Sequence, residues 1–267
     1  MRDVDFNASG SHFASCSFDK SIKLWNTQSG LCIGKISLHS LPFIVHFLPD
    51  NSVLVALGEG SMEKYSVQSL LEGDSEATGS FPSSTTNPLP APMRFEGHLA
   101  PINSITLLPE GKCFTTSEDK TARIWSLTEG TQLFYYAVPP SMSPLTAVTL
   151  HSASSTLACQ SFKGKIFCFS LQLKPVSITL NAKKQFYGFK SRGYICPLTV
   201  CCGTTALASG DAEGNVFIWD WEKGFVKGKG ERALRHERAV SALVWNAGDG
   251  CLISAGLDGV LCVQKVT

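Results

Sequence analysis

A chain that returns to one strand-sized motif at a near-constant interval folds by stacking copies of a small unit, and this chain does so. SFDKSIKLWN at 17–26 comes back as SEDKTARIWS at 117–126, so that Ser17, Asp19, Lys20 and Trp25 are matched by Ser117, Asp119, Lys120 and Trp125. A bulky residue closes a similar apolar run at Tyr65, Phe169 and Trp219, and degenerately at Gln264. The spacing stays near 40–50 residues, apart from about 60 between Tyr65 and Trp125. A unit of roughly this length is what a four-stranded propeller blade requires.

The internal order of the units supports that reading. Unit three runs INSITLL (102–108), KCFTTS (112–117), TARIW (121–125) and TQLFYYA (131–137), separated by Pro109-Glu110-Gly111, Glu118-Asp119-Lys120 and Thr128-Glu129-Gly130. Short β-branched and aromatic runs between turn residues are strand signals, and no segment carries a sustained helical period. The expected architecture is an all-β propeller whose units fall at about 1–37, 38–98, 99–140, 141–185, 186–235 and 236–267. The long interval holds SVQSLLEGDSEATGSFPSSTTNPLPAPM (66–93), rich in Ser, Thr, Pro and Gly. It is expected to be a flexible low-complexity insertion between the third and fourth strands of unit two.

Charge and cysteine usage narrow the function classes. A net charge of +1 gives no bulk attraction to nucleic acid or membrane, and no stretch is apolar for long enough to suggest a membrane span. The ten cysteines include no Cys-x-x-Cys pair, and most sit in apolar runs such as LACQS (157–161), where a reduced thiol packs as a small hydrophobe. That pattern points to a reducing compartment, cytosol or nucleus. GKGE (228–231) lacks the spacing of a phosphate-binding loop, and the six histidines show no metal-ligand spacing.

GHLAPINSITLLPEGKCFTTSEDKTARIWS (97–126) resembles a WD40 repeat from its Gly-His opening to its Trp close. The resemblance implies a buried hydrogen-bonded tetrad of His98, Thr115, Asp119 and Trp125. Unit one offers Ser15, Asp19 and Trp25; unit five offers Ser209 and Trp219 with Glu213 in place of Asp; unit six offers His236, Ser254 and Asp258 with Gln264 at the Trp position. Units two and four keep little of the tetrad beyond the aromatic fillers Tyr65 and Phe169. Unit one starts on its innermost strand and unit six stops at its third. The expectation is therefore a WD40 β-propeller with six recognisable blades of a seven-bladed ring, truncated at its N-terminus, with a six-bladed ring as the alternative.

Three stretches, 13–33, 140–161 and 193–224, are similar to blades of the WD40 splicing factors of the second catalytic step. This resemblance implies a non-catalytic scaffold subunit of the spliceosome, nuclear, without cofactor, metal or small-molecule substrate. Its partners would be spliceosomal proteins and, within the complex, small nuclear RNA or pre-mRNA. A Ser or Thr, a His and an Asp do meet in a tetrad, but nothing supplies an oxyanion hole, so no hydrolase is read from them. The alternative of a cullin ligase substrate receptor would carry Arg two residues after a Trp-Asp pair; WNTQ, WSLT and WDWE lack it.

Two groups of residues are candidates for contact. Phe18, Lys20, Glu118, Lys120 and Leu257 flank the turn acids on the face that WD40 proteins commonly use, and apolar turn tips suit a protein partner. Lys183, Lys184, Lys190, Arg192, Lys227 and Lys229, interleaved with aromatics, could meet RNA, although solvated blade edges account for them as well.

Overall fold

The computed structural model describes residues 1–72, 91–201, 203, 205–222 and 231–265. Within them the chain builds six antiparallel sheets in strict chain order. Five have four strands. They run from Asp3–Phe6 to Cys32–Ser37, from Pro42–Phe47 to Met93–Phe95, from Ile102–Leu108 to Gln132–Ala137, from Leu145–His151 to Val176–Tyr187, and from Leu198–Cys201 to Glu231–Arg235. The sixth has three: Val240–Asn246, Cys251–Gly256 and Leu261–Lys265. Sheets of this size and order are the blades of a β-propeller. The chain forms two compact units, residues 1–102 with 127–132 and residues 103–126 with 133–267.

In the first unit, Ala14, Cys16, Ile22 and Leu24 of blade one pack against Val45, Val53 and Val55 of blade two. The second strand of blade two, Ser52–Leu57, is buried at every position, as a strand covered on both faces must be. In the second unit the same arrangement recurs. Phe114 and Ile124 meet Leu157 and Phe169, Ile166 and Phe186 meet Leu207 and Trp219, and Ala208 and Val216 meet Val240 and Leu252.

Polar side chains on the innermost strands link successive blades. Asp3 accepts the Val45 N–H and Asp5 the Phe47 N–H, both at 2.9 Å. Asn103 donates to the Leu145 carbonyl at 3.0 Å and Thr106 to the Val148 carbonyl at 2.9 Å. The innermost strands thus carry side-chain-to-backbone bonds from one blade to the next.

One helix, Val67–Glu72, stands where the sequence showed no helical period. At six residues it is too short to display one. Its local signal is Ser66, whose Oγ accepts the Ser69 N–H at 3.0 Å as an N-cap. Leu70 is fully buried in the blade-one core, and Gly34 on the last strand of blade one leaves the space its backbone needs; a Cβ there would collide with the Leu70 carbonyl. The start of the 66–93 segment is thus ordered against blade one; residues 73–90 lie outside the described residues, as do Lys227 and Lys229.

Candidate functional site

Every blade has the same four-residue turn between its second and third strands. In each, the fourth residue's N–H bonds the first residue's carbonyl: Lys20 to Ser17, Gly60 to Leu57, Lys120 to Ser117, Gly164 to Ser161, Gly214 to Asp211 and Gly259 to Gly256. All six fourth residues have positive φ, between 60° and 96°. A three-residue hairpin loop that ends in a left-handed residue explains the glycines. Lys20 (φ 60°) and Lys120 (φ 61°) adopt the same conformation without being glycine. The third residues are Asp19, Glu59, Asp119, Lys163, Glu213 and Asp258. Five of the six are acids.

In blades one and three the acid ties the turn to the strand after it. Asp19 Oδ1 accepts the Ser21 N–H at 3.1 Å and the Ser21 hydroxyl at 2.7 Å; Asp119 does the same for Thr121 at 2.8 and 2.7 Å. The Ser21 hydroxyl holds the Asp19 carboxyl below the usual carboxylate range. Ten residues past the serine or threonine, the indole closes the set: Trp25 Nε1 donates to Ser15 Oγ at 2.8 Å and Trp125 Nε1 to Thr115 Oγ1 at 2.9 Å. His98 is buried, at 5% exposure.

Blade six holds its histidine in full view. His236 Nε2 lies 2.8 Å from Ser254 Oγ, and Nδ1 lies 3.3 Å from Asp258 Oδ2. Asp258 also accepts the N–H groups of Glu237 at 2.8 Å and Val260 at 3.0 Å. Burial alone would raise its pKa, but these N–H groups and the imidazole outweigh that and depress it. Gln264, paired in register with Leu252, occupies the place of the tryptophan.

Blade five departs from expectation at both ends. Trp219 Nε1 donates to the Tyr187 carbonyl at 3.3 Å, and Ser209 Oγ donates to the Gly210 carbonyl at 3.0 Å, so these two side chains do not pair with one another. The turn is held by Asp211, the first turn residue, which sequence reasoning missed. Asp211 is 1% exposed and accepts the N–H groups of Glu213 at 2.9 Å and Asn215 at 2.8 Å and the Asn215 amide at 2.9 Å. That leaves Glu213 to reach outward to Lys190 at 3.0 Å and to Arg192.

Blade two retains more of a polar network than its sequence suggested. His39 Nε2 lies 2.7 Å from Glu59 Oε1, and Glu59 also accepts the Ser61 hydroxyl at 3.0 Å. The His39 ring holds Glu59 below the ordinary glutamate range. Behind them Glu63, 1% exposed, accepts the Tyr65 hydroxyl at 2.5 Å and pairs with Arg94 at 2.8 Å. The overlooked signal is a His three residues before the strand-opening Pro42, matched to a glutamate rather than an aspartate.

The residues beside the acids differ from blade to blade. Phe18 is 58% exposed and meets Phe43 edge-on at 6.3 Å, with the Arg2 guanidinium 5.8 Å and 5.3 Å from the two rings. Glu118 and Lys120 are exposed, as is Leu257 at 47%. Lys20 Nζ donates to the His39 carbonyl at 3.3 Å. Of the basic residues read as RNA contacts, Lys184 Nζ sits 4.0 Å from the Trp221 ring centre, Lys190 and Arg192 are held by Glu213, and Lys183 is exposed. Among the described residues no three His, Cys, Asp or Glu side chains converge as metal ligands, and no helix is long and apolar enough to cross a membrane.

Comparison with known proteins agrees with this geometry. The family described as "WD domain, G-beta repeat" matches residues 1–26 and 91–126, which carry the Ser/Thr–Asp–Trp sets of blades one and three. Human pre-mRNA-processing factor 17 is 30% identical over 98% of this chain, and its Saccharomyces cerevisiae counterpart 28% identical over 83%. The chain spans 42% and 45% of the length of those relatives. The pre-rRNA-processing protein crb3/ipi3 of Schizosaccharomyces pombe is 26% identical over 81% of the chain and is covered over 54% of its own length. The crystal structure of the computationally designed Ika8 protein superposes on 99% of the chain and 70% of its own with a TM-score of 0.63 at 17% identity, a likeness of fold alone. Six chain-ordered sheets, a shared turn and the Ser/Thr–Asp–Trp sets, together with these matches, make the chain a member of the WD40-repeat β-propeller proteins.

Proposed function

We propose that this chain is a non-catalytic interaction scaffold of the spliceosome, acting in pre-mRNA splicing around the second catalytic step in the nucleus. The observation that carries the reading is its similarity to pre-mRNA-processing factor 17 across 98% of its length, through blades with and without the tetrad set. Similarity confined to WD40 consensus positions would not extend through blades two and four. The His, Ser and Asp side chains that could suggest hydrolysis are committed to turns and strands, as His236, Ser254 and Asp258 are to one another. The exposed Phe18, set edge-on against the half-buried Phe43 beside Arg2, and the Leu257 turn tip offer apolar contact suited to protein partners.

Affinity purification of the tagged protein from nuclear extract tests this reading. Recovery of spliceosomal proteins with small nuclear RNA is the expected outcome. Recovery of a cullin ligase adaptor without them would replace it with the substrate-receptor reading.

A further inference from the structure

The turn of blade four inverts the charge that the other five carry. Ser161 and Lys165 pair across it as Ser17 and Ser21 do in blade one, which puts Lys163 where Asp19 stands. The strand residue that receives the carboxylate's bonds in blade one, Ser21, is here a second lysine, Lys165. The segment leading into the blade, which bears a histidine in blades two, three and six, reads Ser141-Met142-Ser143.

Beside this turn lies a cavity of about 350 Å³, lined by Ser141, Ser143, Ser161, Lys163 and Lys165 with Phe167 on its wall; the equivalent hollow in blade one is lined by Asp19 and Ser21 instead. The Ser143 Oγ is buried and has no hydrogen-bond partner. Among the described residues neither Lys163 nor Lys165 has a carboxylate within ion-pair distance, whereas Lys64, Lys112, Lys174 and Lys190 each have one. Two unneutralised ammonium groups and a buried, unpartnered hydroxyl around one hollow form a receptor for a compact anion with several acceptor oxygens.

We propose that the blade-four cavity is a binding site for a phosphorylated serine or threonine side chain of a protein partner. A phosphomonoester carries close to two negative charges and three terminal oxygens, which matches two lysines and a hydroxyl. A nucleic-acid phosphodiester carries one charge and is flanked by sugar on both sides. It also needs a basic track beside it. Here most of the neighbouring cations are committed: Lys184 lies over Trp221, and Lys190 and Arg192 are held by Glu213, which leaves the exposed Lys183 as an isolated charge rather than a track. This inference rests on the cavity alone and stands whichever complex the protein joins.

The test is fluorescence anisotropy of the full chain with a short phosphoserine peptide, its unphosphorylated twin and a short single-stranded RNA. The phosphopeptide should bind at least about tenfold tighter than its twin, and inorganic phosphate should compete with it. Lys163→Asp, which restores the carboxylate of the other turns, should abolish that preference. Lys165→Ser, which installs the blade-one residue, guards against a folding defect and should weaken it in the same direction. Lys183→Ala, outside the cavity, should leave it unchanged. Equal affinity for the two peptides, a preference that survives both lysine changes, or RNA binding that depends on Lys163 without any phosphopeptide preference would each overturn the proposal.

Discussion

The Asp211 carboxylate accepts the Asn215 backbone N–H at 2.8 Å, so blade five closes its turn with an acid two residues upstream of the place where blades one and three keep theirs. One side chain does the work that Ser117 and Asp119 share in blade three, where Ser117 Oγ accepts the Asp119 N–H at 3.1 Å. Asp211→Ala leaves the buried Asn215 N–H, the Asn215 amide and the part-buried Glu213 N–H without their acceptor and should cost about 2–3 kcal/mol in equilibrium urea unfolding. Glu213→Gln, at the aligned acid position, should leave the unfolding midpoint close to that of the parent protein, because its ion pairs with Lys190 and Arg192 face solvent. The reverse ranking would mean that Glu213 holds the turn.

Blade three gives a cleaner measure of the indole bond. Thr115→Val removes the hydroxyl that accepts Trp125 Nε1 at 2.9 Å, at almost constant volume. The expected loss is about 1–3 kcal/mol. A double-mutant cycle with Trp125→Phe should return a coupling energy of about 1 kcal/mol. Additive losses would show that Thr115 acts through its other contacts.

The two turn lysines are strained where the glycines are not. Lys120→Gly, at φ 61°, should stabilise the protein by about 0.5–1 kcal/mol, with Lys20→Gly close behind. Gly164→Ala should do the opposite and lose more than about 1 kcal/mol. Its φ is +69°, and a Cβ would stand 2.6 Å from the Phe189 carbonyl oxygen. Thermal melts of the three variants check the signs.

What could be read from the sequence follows from where chemistry is local. Asp19, Asp119 and their tryptophans stand at fixed offsets within a single hairpin, so spacing alone exposes them. The strand order of each blade is equally local. Asp211 was missed because its role depends on which N–H groups it reaches, not on the repeat position it occupies. His39 was missed because its partner is Glu59, a longer side chain than the motif calls for, and because Glu63 and Arg94 meet through register rather than through neighbouring sequence. The helix Val67–Glu72 gains its place from burial of Leu70 against blade one, a tertiary cause with only the Ser66 cap as a local trace. The blade-four cavity likewise appears only when Ser143 and Lys163 are brought to one hollow.

The buried thiols give a chemical reading of the packing. Burial pushes Cys16, Cys113, Cys168 and Cys196 up to about 12. At neutral pH these side chains present no thiolate, so a disulfide reagent should spare them in the native protein and label them fully in urea. Cys32, Cys251 and Cys262, which are half-buried, should react first. Mass spectrometry of the labelled peptides resolves the order, and early labelling of Cys113 would contradict the packing of blade three.

Acid should weaken the fold in two stages. His151, stacked on Trp221 at 4.2 Å, is depressed by burial and by Lys184. Its unfolded form takes up a proton more readily, so stability is full above about pH 6.5 and declines as pH falls below that value. Asp19, Glu59 and Asp258 also have depressed folded values. Their contribution is present above the ordinary carboxylate range, near about pH 4, and is lost as pH falls through the lower native values. Urea unfolding across this range should therefore show a shallow decline followed by a steeper one. His151→Phe, which keeps an aromatic ring on Trp221, should remove the first stage and leave the second. Asp258→Asn should lower the neutral plateau and flatten the acid limb, while leaving the His151 stage in place. A profile that Asp258→Asn does not flatten would show that the His236–Asp258 pair adds nothing to the acid sensitivity of the fold.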